Sequence, residues 1–114
     1  MHKKIIEKIK ENNLEDNIKQ HFCDFKSLDT RFENNSFDRI LFIESISYSD
    51  NILNILKTCF NILNKNGILY IRTITPPHTK SNFIKKTIGN IEKKIDCNLI
   101  YHENIIYYLQ QAGF

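Results

Sequence analysis

The chain has no tryptophan, one alanine and one methionine, and its 114 residues include only three glycines, three cysteines and two adjacent prolines. No apolar run approaches the roughly 18 to 20 residues of a bilayer span, so no transmembrane helix is expected. The opening Met1-His2-Lys3-Lys4-Ile5-Ile6-Glu7 is too charged for a secretory signal. Cys23, Cys59 and Cys97 lie far apart and form no Cys-x-x-Cys pair, which excludes the usual zinc-ligand spacing. An odd number of scattered cysteines points to a reducing, cytoplasmic compartment. Cys23 and Cys59 sit in apolar segments and read as small core residues. There is no Gly-x-Gly, no Gly-rich phosphate loop and no nucleophile–base–acid spacing. Sixteen basic against thirteen acidic residues leave a formal charge of +3, too small to argue for nucleic acid. The pairs Lys3-Lys4, Lys85-Lys86 and Lys93-Lys94 fall on expected helices and read as solvated faces.

What is present in excess is isoleucine, asparagine and lysine, at 20, 14 and 13 copies. All three have AT-rich codons, so this skew reflects base composition rather than chemistry. Hydrophobic residues at 41% and charged residues at 25% are an ordinary globular balance, which excludes a disordered chain. The length suits one domain with one core.

Ile5, Ile6 and Ile9 fall on one helical face over residues 3–12, and Asn12-Asn13 ends the pattern. Ile18 to Cys23 alternates as a strand, closed by Asp24. Residues 25–36 are polar and irregular, with room for one helical turn. Ile40-Leu41-Phe42-Ile43 is a short apolar run typical of a strand covered on both faces. Ser45 to Asp50 is a polar loop. Ser49 or Asp50 then caps a helix over 51–63, which turns Ile52, Leu53, Ile55, Leu56, Cys59, Phe60 and Leu63 inward. Asn64-Lys65-Asn66-Gly67 is a helix stop and turn. Ile68 to Ile74 is a strand ended by Pro76-Pro77. Ser81 caps a helix over 82–94 with Phe83, Ile84, Thr87, Ile88 and Ile91 inward, and a last helix over 103–112 stops at Gly113. Strands alternating with helices argue for an α/β fold with a mainly parallel, three-stranded sheet flanked by helices. Ligands of such sheets bind beyond the carboxyl ends of the strands. Asp24-Phe25, Glu44 to Tyr48, and Thr73 to His78 occupy those ends.

Three stretches, in this order, resemble the class I, Rossmann-like S-adenosylmethionine-dependent methyltransferases. Asn13-Leu14-Glu15-Asp16-Asn17-Ile18, running to His21-Phe22-Cys23-Asp24-Phe25, resembles the family's third strand and its acidic end. Asn35-Ser36-Phe37-Asp38-Arg39-Ile40-Leu41-Phe42-Ile43-Glu44-Ser45-Ile46-Ser47-Tyr48 resembles the fourth strand, with Tyr48 where histidine is common. Phe60-Asn61-Ile62-Leu63-Asn64-Lys65-Asn66-Gly67-Ile68-Leu69-Tyr70-Ile71 resembles the turn and fifth strand, and Leu109-Gln110-Gln111-Ala112-Gly113-Phe114 is similar to a family helix end. The match covers nearly the whole chain as a single, partial domain over residues 1–114. The family's first strand, its Gly-rich loop and its closing C-terminal strands have no counterpart, so the chain resembles a middle slice of the fold with two strand edges left unpaired.

The resemblance implies S-adenosylmethionine as cofactor. It implies that Asp24 accepts a hydrogen bond from the adenine amino group, with Phe25 beside the base, and that Ile43, Glu44 and Ser45 border the cofactor. From the residues alone, Asp24 reads more readily as a loop acid capping the next turn, and Glu44 equally as part of a polar connection. Tyr48 could orient an acceptor through its hydroxyl; no residue is an obvious base, and His78, the best placed, reads more readily as a solvated loop histidine. His2, His21 and His102 read as structural or surface residues. The expected function is a methyltransferase, if active, for a small-molecule or lipid-like acceptor. The alternative is a non-catalytic module or half-enzyme that pairs through its strand edges with a second copy or a complementing chain. The aspartate- or asparagine-proline-proline motif of nucleic-acid amino methyltransferases is absent.

Overall fold

The structure, a computed structural model, describes residues 2–114. It contains five α-helices: α1 (His2–Glu11), α2 (Leu28–Arg31), α3 (Ile52–Ile62), α4 (Asn82–Ile95) and α5 (His102–Ala112). Two strands, β1 (Phe37–Ile43) and β2 (Leu63–Arg72), pair in parallel through the α3 crossover. The helix ends follow local chemistry. The Asn51 side chain caps α3 by accepting from the Asn54 N–H at 3.0 Å. Ser81 caps α4 through the Ile84 N–H at 3.4 Å. α5 stops at Gly113, whose φ of 112° only glycine adopts without strain. Asn13 and Asp96 end α1 and α4 in left-handed conformations, as short polar side chains can.

The core lies on one face of the sheet. Phe42 from β1 packs with Ile55, Leu56 and Cys59 of α3, with Ile105 and Ala112 of α5, and with Ile46 and Ile100 from the connections. Ile46, Leu56 and Cys59 are completely buried. Burial pushes the Cys59 thiol up to about 11, whereas Cys23 is only partly buried. A thiol reagent at pH 8 should therefore modify Cys23 while leaving Cys59 unmodified until the chain unfolds. Cleavage and mass mapping checks this, and equal labelling of both would contradict the burial.

The α/β class and the parallel pairing are as expected, but the sheet has two strands rather than three. Residues 18–23 form no ladder among the described residues. A strand is held by its neighbour, and alternation supplies a face but no partner. β2 begins directly at Leu63 rather than at Ile68. Phe37 pairs with Leu63 and Arg39 with Ile68, so 64–67 form a bulge opposite Asp38 in place of a free turn. Gly67 fits there because its backbone approaches closely: a Cβ would meet Leu63 Cδ2 at 2.8 Å and the Asp38 carbonyl oxygen at 3.2 Å. The inward face expected for the 82–94 helix is also not seen. α4 buries no residue, and Phe83 is 79% exposed. α1 likewise buries none. Phe60, expected inward on α3, is 46% exposed, while Ile62 is buried. Both amphipathic helices keep their apolar faces largely exposed, with Ile9 and Ile88 only partly covered. The radius of gyration, 16.8 Å, exceeds the roughly 13 Å of a compact domain this size. On the sheet's second face, Leu41, Ile43, Ile68 and Tyr70 are all more than half exposed.

Candidate functional site

Two of the three expected strand-end segments converge. The chain turns after Cys23 into a short 3₁₀ segment, Phe25–Ser27, because the Asp24 carboxylate accepts from the Lys26 N–H at 3.3 Å. β1 ends in a second 3₁₀ turn, Ile46–Tyr48, anchored by the buried Ile46. Asp24, Phe25 and Tyr48 then line one cleft of about 50 Å³ with the start of α3. That space holds one or two waters, far below the 300 to 1,000 Å³ of an enclosing ligand pocket. Lys26 and Asp50 bridge its rim at 2.8 Å. Their mutual hydrogen bond lowers the Asp50 carboxyl and raises the Lys26 ammonium. Both groups are largely exposed, so the pair orders the rim more than it stabilises the fold.

Ile43, Glu44 and Ser45 lie at the β1 tip, outside the lining of that cleft. Glu44 adopts φ 51°, unusual for a residue with a Cβ, and its N–H donates to the Arg72 carbonyl at 2.8 Å. Arg72 Nε donates to Glu44 Oε1 at 3.2 Å. The exposed Glu44 is thus a strand-tip residue with a partner, and the register that sets Ile43 opposite Arg72 brings the two together.

His78 stands apart from both segments. Its Nε2 lies 2.8 Å from Glu103 Oε1, and its ring stacks on Tyr101 with centroids 4.9 Å apart and planes 15° from parallel. The Glu103 carboxyl is held below its ordinary 4.5, first by its own backbone N–H at the start of α5 and then by His78. A lowered carboxyl favours the folded state above its ordinary pKa, and that contribution fades as pH falls through the lowered value. This contact ties the Pro76-Pro77 segment to α5 at neutral pH.

Sequence reasoning missed the partners Arg72 and Glu103, and the cleft-lining Lys26 and Asn54. Register and tertiary approach place these residues, and neither leaves a local pattern. Among the described residues no group of histidine, cysteine and carboxylate side chains could hold a metal ion, and no helix is long and apolar enough to cross a membrane.

Asp24 and Phe25 bring a carboxylate and an aromatic ring to one cleft, but its volume of about 50 Å³ does not enclose a purine, and the Phe25 ring packs against Phe42. No glycine loop is available among these residues to cradle the remainder of a nucleoside cofactor.

A family profile described as a methyltransferase domain matches residues 1–113. Two solved structures share the fold. A SAM-dependent methyltransferase from Thermotoga maritima, described as a possible histamine N-methyltransferase, is 24% identical with a TM-score of 0.59, over 73% of this chain and 40% of its own. The trans-methyltransferase CalH, in complex with SAH, is 18% identical with a TM-score of 0.65, over 93% of this chain and 32% of its own. No curated protein matches the chain in sequence. The chain spans less than half the length of either solved relative. With the α/β crossover, the parallel pair and the profile match in agreement, the chain belongs to the methyltransferase domain family of that profile.

Proposed function

We propose that this domain contributes the adenine-side part of an S-adenosylmethionine site and serves methyl transfer to a small-molecule or lipid-like acceptor. The observation that carries this reading is the convergence of Asp24, Phe25 and Tyr48 on one cleft. Asp24 would accept from the adenine amino group, Phe25 would flank the base, and Ile43, Glu44 and Ser45 would border the cofactor from the β1 tip. The Glu44–Arg72 pair holds that tip in its left-handed turn. When bound, S-adenosylmethionine supplies an electrophilic methyl on a sulfonium, which passes to an acceptor lone pair as the carbon–sulfur bond breaks. The chain's own task is alignment, which accounts for much of the rate in such a transfer. Tyr48, 54% exposed, could position the acceptor through its hydroxyl. His78 as a base would have to act from its Glu103 contact. The three free cysteines agree with a reducing, cytoplasmic setting.

Asp24→Ala and Glu44→Ala should each weaken binding of S-adenosylhomocysteine about tenfold or more in calorimetric titration, with the helical circular dichroism retained. If both variants bind like the parent, the site assignment fails. A second reading, pairing of two copies through the sheet, is favoured by the uncovered Leu41, Ile43, Ile68 and Tyr70. Light scattering separates the two: a dimer supports pairing, and a monomer at high concentration removes it.

A further inference from the structure

The chain's three glycines do not all have a structural reason. Gly67 is required by close backbone approach and Gly113 by its positive φ. Gly89 stands in the middle of the fourteen-residue α4, where glycine is worse than alanine by about 1 kcal/mol. A Cβ built on Gly89 meets nothing within 4 Å. Gly89 also lines an open groove of about 510 Å³ between the Ser47–Tyr48 turn and the end of α4. The wall is fixed, because the Asn98 N–H donates to the Ser47 carbonyl at 3.1 Å. Tyr48 and Asp50 line both this cleft and the smaller one at Asp24, so the two adjoin. The groove has room for a small molecule to lie against it, with one side left to solvent.

We propose that this cleft binds a small molecule bearing a protonated amine, whose body passes over Gly89. On the reading above, that molecule is the methyl acceptor, its nitrogen taking the methyl only after the ammonium has lost its proton to a neighbouring carboxylate or to water. The charge around the cleft selects the class. Glu92 and Asp96 line it beside one lining cation, Lys93, and Asp50 at its edge is already paired with Lys26. Glu92 is fixed in place by accepting the Leu99 N–H at 3.0 Å. An ammonium entering beside Tyr48 would meet these carboxylates at one end, and the bare helix surface at Gly89 leaves room for its apolar part.

The test uses the whole chain and two matched probes, phenethylamine and 3-phenylpropionate, followed by amide chemical shifts. Phenethylamine should shift Tyr48, Gly89 and Glu92 saturably, and 3-phenylpropionate should not. Gly89→Leu fills the cleft with a good helix former. It should melt no lower than the parent, weaken phenethylamine at least tenfold, and leave S-adenosylhomocysteine binding unchanged. Should Gly89→Leu melt lower, Asp96→Asn carries the same test, since asparagine tolerates the left-handed conformation there; it should reduce the preference for the amine. Equal response to both probes, no response to phenethylamine, or parent-like amine binding by Gly89→Leu would overturn the proposal. Amine binding without S-adenosylhomocysteine binding supports the cleft and counts against the cofactor reading. The reverse overturns the cleft alone.

Discussion

Leu56→Ala should cost this domain about 2 to 5 kcal/mol, the range for deleting a fully buried leucine where the site cannot collapse. Leu56 is 0% exposed in a core shared by β1, α3 and α5. Small domains are stable by about 5 to 15 kcal/mol in total. This one draws no buried residue from α1 or α4, so its reserve belongs at the lower end. The variant should unfold at much lower urea than the parent, or fail to fold at all. An equivalent truncation on the outer side, Phe83→Ala, should change little, because that ring is 79% exposed. A Leu56→Ala loss below about 1 kcal/mol would mean that the core is not centred on α3.

The second large effect concerns Gly67. Alanine there places its Cβ 2.8 Å from Leu63 Cδ2, 3.0 Å from the Asn64 carbonyl oxygen and 3.2 Å from that of Asp38. The two oxygens belong to backbone in the bulge, so relief requires the β1–β2 pairing to shift. A loss of about 1 to 3 kcal/mol is expected, as for overpacking elsewhere. Gly89→Ala should do the opposite and gain up to about 1 kcal/mol, since its Cβ enters open space on a helix. Denaturant melts of the two variants therefore move in opposite directions. If both are neutral, the bulge is not the constraint that this geometry makes it.

These contrasts show what the amino-acid order reveals and what it conceals. Helix ends are written locally. Ser81 and Gly113 are legible because a cap needs one side chain or one missing Cβ, and α4 and α5 start and stop within a residue or two of the expected bounds. The α3 core face is legible because Ile55, Leu56 and Cys59 repeat at helical spacing. The same rule misleads at Phe83 and Ile91, because periodicity marks an apolar face without saying that anything covers it. It misleads again at 18–23, where alternation marks a strand that has no neighbour in the sheet. The bulge at 64–67 is concealed because Asn64-Lys65-Asn66-Gly67 is good turn chemistry in either arrangement. In the candidate site, Asp24, Phe25 and Tyr48 do converge on one cleft, but the strand-end rule that grouped them does not hold for Asp24 and Phe25, since 18–23 pair with no strand. Glu44–Arg72 and His78–Glu103 were not legible, since their partners stand 28 and 25 residues apart and are joined by register and loop path alone.

The most direct test of the account is a titration of the ¹⁵N-labelled chain with S-adenosylhomocysteine, followed residue by residue. The account predicts saturable shifts at Asp24, Phe25 and Tyr48, with smaller ones at Glu44 and Ser45. A folded chain that shows no shifts, or shifts confined to residues remote from the β1 end, would contradict it.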